Sequence, residues 1–301
     1  MALVIAALKS LCESKGMGCF SNKSTLSNSA FLLTLTLCIA SMIGCDGAPN
    51  VPGTTKQFKA KELFTDVKVV GVAEALESND LAKAGQLLHA GADINAVGKD
   101  GMTLPIWTMM LKNKSSFTWL FEHGANPNLV PKDDRGVLLW ACAADDSEWL
   151  DILLRHKADV NLQRRTVVTL ETPLSEAIFG RHRKNLELLI KADANVNAQR
   201  PVKDGGGTPL INAANSGWFE GVYVLLEAGA DYRPRTAAGD DVTYLVVKRD
   251  ASPGSEDAQW KAKVLQLLKE RGADIEAAQK RADELQAQDR RDRPWLYKNE
   301  K

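Results

Sequence analysis

Apolar clusters and small polar phrases alternate along most of the chain at a regular spacing. Leucine pairs recur in step with a phrase in which Ala is followed by Asp or Asn, found at Gly91–Asn95, Gly124–Asn128, Lys157–Asn161, Asp193–Asn197, Gly229–Asp231 and Gly272–Ile275. The alanines of this phrase, at positions 92, 125, 158, 194, 230 and 273, are 33, 33, 36, 36 and 43 residues apart. The pattern predicts a stack of repeated units, since one such unit cannot bury its apolar face alone.

Each unit is expected to be a pair of helices. Thr172 and Thr208 each precede Pro-Leu, and this is a helix-start signal, because Thr caps free backbone N–H groups and proline is tolerated at the first helical position. The leucine pairs belong to the second helix, where they fill the core between units. The glycine before Ala-Asp supplies the left-handed residue that ends that helix.

These phrases resemble the ankyrin repeat from Val67 to Ile275, with Thr208–Asp231 as a nearly complete copy. The resemblance implies an all-α fold, an ankyrin-repeat solenoid of about six helix-turn-helix repeats with short hairpin fingers and a C-terminal capping helix. It also implies a protein that works by binding rather than by catalysis.

Several units depart from the pattern. Lys157 and Asp193 replace the helix-ending glycine, so we expect strained or differently closed turns there. The proline is shifted by one place in Met102–Pro105, and Leu138–Trp140 lacks the Thr-Pro signal. Arg249–Asp257 reads as an insertion between the two helices of the last repeat.

The N-terminus differs from the rest of the chain. Lysines precede an apolar run of 14 residues, Ala30–Ile43, which is short for a bilayer span and fits the hydrophobic part of a signal peptide. Its end, Met42–Cys45, resembles a bacterial lipobox, and the resemblance implies cleavage before Cys45 and lipidation of its thiol. The alternative is a cytosolic protein with a disordered, mildly apolar leader.

The predicted organisation has four parts. Residues 1–44 are a lipoprotein signal peptide, 45–62 a flexible tether from the lipidated Cys45, 63–275 the ankyrin-repeat domain, and 276–301 a C-terminal helix and tail. The tail either folds back on the array or is disordered. This organisation predicts a periplasmic protein, lipid-anchored to the inner or outer membrane, and Asp46 favours the inner one in some bacteria.

Neither the composition nor the candidate residues indicate an enzyme. The chain has 38 basic and 38 acidic residues, and this balance argues against a nucleic-acid partner. Cys142 reads as a small buried helix residue. His123 and His156 share one register, but successive repeats are about 10 Å apart, too far for joint metal coordination. We expect no catalytic residue, cofactor or metal.

The resemblance assigns partner contacts to the finger tips and to the concave face of the inner helices. On that face the candidates are an equivalent set of helix positions and nearby tryptophans: Trp107, Trp140, Glu176, Asn212 and Trp218. The finger candidates are basic and predict an acidic patch on the partner: Lys132, Arg164, Arg165, Arg200, Lys203, Arg233 and Arg235. Core packing is the alternative for each tryptophan, and simple solvation for each charge.

The predicted fold and the predicted lipoprotein signal together resemble those of ankyrin lipoproteins that act as immunity proteins. Such proteins bind and neutralise antibacterial type VI secretion effectors, often phospholipases. We therefore expect a protein partner, for example a secreted antibacterial toxin, a membrane reached through the lipid anchor, and a monomer in the free form. The alternative is a scaffold or protective partner of a periplasmic enzyme or envelope complex. A third interpretation is an effector directed at a host, which a lipid anchor would disfavour because it would tether the protein to the bacterium.

Overall fold

The computed structural model describes residues 59–132, 135–165, 170–199 and 207–293. In this part of the chain a short helix, α1 (Ala60–Leu63), is followed by six helix pairs and a final helix, α14 (Ile275–Asp292). The pairs are α2 (Val67–Glu77) with α3 (Leu81–His89), α4 (Leu104–Met110) with α5 (Lys114–Glu122), α6 (Val137–Cys142) with α7 (Glu148–Arg155), α8 (Pro173–Phe179) with α9 (Arg183–Lys191), α10 (Pro209–Ser216) with α11 (Phe219–Glu227), and α12 (Val242–Val247) with α13 (Glu256–Glu270). The prediction of six repeats is confirmed.

The first helices of the pairs stack in an inner row and the second helices in an outer row. Leucines and alanines fill the space between the rows; Leu153, Leu189, Ala213 and Leu225, for example, are completely buried. Helix α14 packs on α12 and so continues the inner row, and no outer helix follows it within the described residues. The predicted capping helix is therefore present and occupies half of a seventh repeat.

Threonine caps start the inner helices as the sequence predicts. The hydroxyl oxygens of Thr172 and Thr208 accept hydrogen bonds from backbone N–H groups three residues later, and Thr103 does the same despite its shifted proline. Helix α6 instead begins after Gly136, whose φ of 78° lies in the left-handed region. A Cβ there would meet the backbone oxygen of Leu129 at 2.5 Å, so close packing replaces the cap.

The outer helices end on residues with positive φ. Glycines fill this position at Gly91, Gly124, Gly229 and Gly272, with φ between 85° and 94°. Lys157 and Asp193 adopt φ of 62° at the same position, although each carries a Cβ. The predicted strain at these two turns is confirmed, because a side chain in this region costs roughly 1–2 kcal/mol.

A ladder of asparagine side chains ties successive repeats together. In each rung, the side-chain oxygen of an Asn accepts a hydrogen bond from the backbone N–H of the Asn or Asp that follows the phrase alanine in the next repeat. The rungs are Asn95 to Asn126, Asn128 to Asp159, Asn161 to Asn195 and Asn197 to Asp231, at 2.7–2.8 Å. The ladder satisfies backbone donors that the turns expose.

Strands are short in the described residues. Arg164–Arg165 pairs with Leu170–Glu171 in an antiparallel hairpin in the finger before α8, and a single bridge joins Arg235 to Asp241 in the finger before α12. The fold is therefore helical with a small hairpin, as predicted for the fingers.

The predicted signal peptide and Cys45 lie outside the described residues. Helix α1 begins at Ala60, so the last three residues of the predicted tether, 45–62, belong to this helix, where Ala60 is buried. Trp295 and Tyr297 of the predicted tail also lie outside the described part of the chain. No helix in that part is both long and apolar enough to cross a bilayer.

Candidate partner-binding surface

The fourth residue of the inner helices is the position to which the sequence assigned partner contacts. The structure treats its four occupants differently. Trp140 and Asn212 are half-buried, whereas Trp107 and Glu176 are buried, at 2% and 6% exposure. The Nε1–H of Trp107 donates to the backbone oxygen of Ala73 in the preceding repeat at 3.2 Å. Trp107 is therefore a core residue, and its assignment to the binding surface is wrong.

Trp218 is also a packing residue. It lies at the N-cap of α11, is 4% exposed, and covers Gly221 in the following turn of that helix. A Cβ on Gly221 would overlap the indole ring, so the indole and the glycine fit as a pair. Trp218 offers no surface to a partner, and the packing alternative holds for it as for Trp107.

The Arg135 cluster joins two inner helices to the segments that precede them. It is defined by Arg135, Trp140, Arg164, Glu171 and Glu176. Nη1 of Arg135 lies 2.5 Å from Oε2 of Glu176 in the next repeat, and the guanidinium lies over the Trp140 ring at 4.7 Å. Nη1 of Arg164 lies 2.9 Å from Oε2 of Glu171 across the hairpin. The cluster therefore joins the third and fourth repeats through charged groups and an aromatic ring.

Burial sets the electrostatics of this cluster. Desolvation raises the pKa of the Glu176 carboxyl, and the nearby Glu171 adds to this effect. Arg135 opposes both by its charge and its hydrogen bond, yet the pKa of Glu176 remains above its usual value. Burial therefore disfavours the ionised form of Glu176, and Arg135 is the main group that favours it.

The basic fingers are less basic than their sequence suggests. Arg233 makes a bidentate pair with Asp231, Arg235 lies 3.0 Å from Asp241, and Arg164 pairs with Glu171. Lys132 and Arg165 are exposed. Arg200 and Lys203 lie outside the described residues. Several arginines of the described fingers therefore form neutralised pairs, which weakens the expectation of a purely acidic partner.

Arg135, which organises the cluster, was not among the residues predicted from the sequence. It lies just before α6 in a repeat without the Thr-Pro signal, so no motif marked it. One signal was available: Arg135 and Glu176 are 41 residues apart, close to the spacing of neighbouring repeats. Opposite charges near that spacing in adjacent repeats can meet across the stack.

The candidate reactive side chains of the described residues are buried or pack against aromatic rings. Cys142 is completely buried in α6, as predicted, and burial raises the pKa of its thiol, which disfavours the reactive thiolate. Within these ranges no three His, Cys, Asp or Glu side chains are grouped so as to hold a metal ion. His123 stacks on Trp119 with a centroid distance of 4.0 Å, and His156 lies beside Phe121, so both histidines pack against rings.

Comparison with known proteins identifies the repeats. Residues 138–236 match the family model for ankyrin repeats, in three copies. The ankyrin repeat domain of Bcl-3, a member of the IkappaB protein family, is 19% identical over 70% of this chain and 88% of its own, with a TM-score of 0.56. No curated protein matches the chain.

Two further solved structures have similar folds. An ankyrin repeat domain from Acinetobacter baumannii AYE is 23% identical over 67% of this chain and 98% of its own, with a TM-score of 0.54. The ankyrin repeat protein EF0377 is 22% identical over 66% and 96%, with a TM-score of 0.51. At these identities the likeness establishes the fold. The chain thus contains ankyrin repeats and folds as an ankyrin-repeat solenoid, a scaffold that typically binds other proteins.

Proposed function

We propose that this chain is a non-catalytic ankyrin lipoprotein of the periplasm that acts as an immunity protein. It binds and neutralises an antibacterial type VI secretion effector, such as a phospholipase. The observation that carries the binding role is the Arg135 cluster, in which the half-buried Trp140 of α6 lies against the guanidinium of Arg135, just before that helix.

The geometry of the cluster suits protein recognition. Tryptophan and arginine are the side chains most often found at the energetic centre of protein interfaces. Stacking on Trp140 and pairing with Glu176 hold the Arg135 side chain in one orientation before a partner arrives. An ordered side chain loses less conformational entropy on binding, and this supports tight association.

The proposed lipid anchor would hold this binding surface near the membrane. From Cys45 to Ala60 the chain spans about 50 Å when fully extended, at about 3.3–3.6 Å per residue. A lipidated Cys45 would therefore keep the array within reach of the membrane surface. A toxin that attacks membrane lipids would meet an inhibitor already held there, and this logic favours an immunity role over a free periplasmic scaffold.

One experiment tests the binding role. The mature chain, with an affinity tag at its C-terminus, is used to capture proteins from membranes of the native bacterium. We expect one dominant partner encoded beside this gene. Trp140→Ala and Arg135→Ala should reduce its capture at least tenfold, whereas Lys184→Ala, an exposed change on outer helix α9, should not. Equal capture by all four proteins would contradict the proposed surface.

A second experiment tests the immunity role and the anchor. Deletion of the gene should make the bacterium sensitive to the captured toxin, and the wild-type gene should restore resistance. Cys45→Ser should move the protein from the membrane fraction to the soluble fraction and lower resistance, while the purified variant still binds. Unchanged sensitivity after deletion would exclude immunity and favour the scaffold alternative.

A further inference from the structure

A cleft of about 330 Å³ lies between the finger of the sixth repeat and the start of α14. Tyr232, Arg233 and Arg235 line it from the finger, and Asp274 and Arg281 line it from the helix side. It is separate from the Arg135 cluster and exists because the seventh, half-formed repeat has no finger of its own.

At the earlier junctions between repeats, an asparagine side chain of the ladder occupies the position equivalent to this cleft. At each earlier junction an Asn carboxamide accepts a hydrogen bond from a backbone N–H of the next repeat. At three of these junctions its Nδ2 also approaches the carbonyl oxygen two residues before that N–H, at 3.4–3.5 Å; these carbonyls belong to Gly124, Lys157 and Gly229. A carboxamide thus matches one donor and one acceptor of the next repeat at the same time.

The last junction lacks this carboxamide. Arg233 occupies the register of the asparagines, and its guanidinium, which has no acceptor atom, turns back to Asp231 with distances of 2.8 and 3.0 Å. The equivalent donor and acceptor are the N–H of Asp274 and the carbonyl of Gly272, and both residues line the cleft. Neither group has a hydrogen-bond partner among the described residues.

The charges around the cleft select a neutral ligand. Arg233, Arg235 and Arg281 are each paired with a nearby carboxylate, the last with Asp240 at 2.6 Å. Asp241 is the partner of Arg235, so Asp274 is the further acidic residue at the cleft. An incoming carboxylate would approach Asp274 and has no N–H with which to donate to the carbonyl of Gly272. A neutral carboxamide meets neither a repelling charge nor an unmatched polar group.

We propose that this cleft binds the side-chain carboxamide of an Asn or Gln presented by a protein partner. The incoming oxygen accepts from the N–H of Asp274, and the incoming NH₂ donates to the carbonyl of Gly272, so that the partner completes the ladder. The site adds a second contact region, at the C-terminal end of the array, and it does not depend on the identity of the partner.

Nuclear magnetic resonance on the ¹⁵N-labelled full chain tests the site with three blocked amino acids as probes. We expect N-acetyl-asparagine methylamide to shift the amide signal of Asp274 with a saturable dependence on concentration. The aspartate and leucine analogues should bind about fivefold more weakly, since each loses at least one hydrogen bond. Equal responses to all three probes, or no response at Asp274, would overturn the proposal.

Variants separate this site from general surface effects. Arg233→Asn places the native ladder residue in the cleft, so the Asp274 amide should gain protection from hydrogen exchange and the asparagine probe should no longer shift it. Lys280→Asn, an exposed change on α14 outside the cleft lining, should leave the response within twofold of wild type. An unchanged response in Arg233→Asn would contradict the proposal, and a concentration-dependent shift without probe would assign the cleft to a second copy of the chain instead.

Discussion

The side-chain oxygen of Asn128 accepts a hydrogen bond of 2.7 Å from the backbone N–H of Asp159, the equivalent turn residue one repeat later. The same asparagine approaches the carbonyl of Lys157 through its Nδ2 at 3.4 Å. One side chain therefore links the second repeat to the third through both a backbone N–H and a backbone carbonyl.

Removal of this rung should weaken the array. We expect Asn128→Ala to lower the free energy of unfolding by about 1 kcal/mol, since two backbone groups lose their partner and the half-exposed turn lets water replace it only in part. Urea denaturation followed by circular dichroism measures the change. Gln86→Ala, on the exposed face of α3, is the control and should change the midpoint little; equal effects of both changes would mean that the rung is not stabilising.

Glycine should improve the two strained turns. Lys157→Gly and Asp193→Gly should each raise the free energy of unfolding by about 0.5–1 kcal/mol, because the relief of left-handed strain exceeds the added flexibility of the unfolded chain. The reverse change, Gly124→Ala, should destabilise. Thermal denaturation measures all three, and a lower melting temperature for both glycine variants would contradict the account of strain.

The stability of the Arg135 cluster should depend on pH through Glu176. Its pKa is raised in the folded state, so the folded protein holds the proton more tightly than the unfolded chain does, and the contribution of this carboxyl to stability falls as pH rises from 4 towards 7. The difference in unfolding free energy between Glu176→Gln and wild type should therefore shift in favour of Gln over this range.

Urea denaturation at several pH values measures this difference. Gln86→Ala, which removes no ionisable group from the exposed face of α3, serves as the comparison and should keep the pH dependence of the wild type. If the Glu176→Gln difference moved the other way with pH, the salt bridge to Arg135 would outweigh burial.

Truncation should distinguish the core tryptophan from the surface one. Trp107→Ala should cost about 3–5 kcal/mol, because it empties a packed site and removes the hydrogen bond to the carbonyl of Ala73. Trp140→Ala should cost about 1 kcal/mol and should chiefly impair partner binding. A large loss of stability in Trp140→Ala would show that this ring, too, is structural.

The features that every repeat shares could be predicted from the sequence. The phrase spacing located the helix pairs, and the threonine caps and positive-φ turns followed from backbone chemistry at single positions. Prediction failed where two repeats meet. Trp107 and Trp140 occupy the same helix position, yet one is core and the other half-exposed, because the neighbouring repeat rather than the local pattern decides how much of the ring is covered.

The same limit applies to charges. Arg164, Arg233 and Arg235 read as a basic edge because their acidic partners belong to other positions of the finger or hairpin. Only the hairpin register brings Arg164 opposite Glu171, and only the turn geometry folds Arg233 onto Asp231. Such pairs depend on side-chain direction, which the spacing of repeats does not determine.

The position of α14 restricts how this protein can change in length. An extra repeat inserted at an internal junction would have a ladder asparagine before it and a turn with a matching backbone N–H after it. Duplication there therefore preserves both rows of helices. A copy added after residue 275 would meet a helix that already occupies the inner row. It would also follow a junction at which Arg233 replaces the ladder asparagine. Lengthening by duplication should therefore occur inside the array, and the C-terminal helix should travel unchanged at its end.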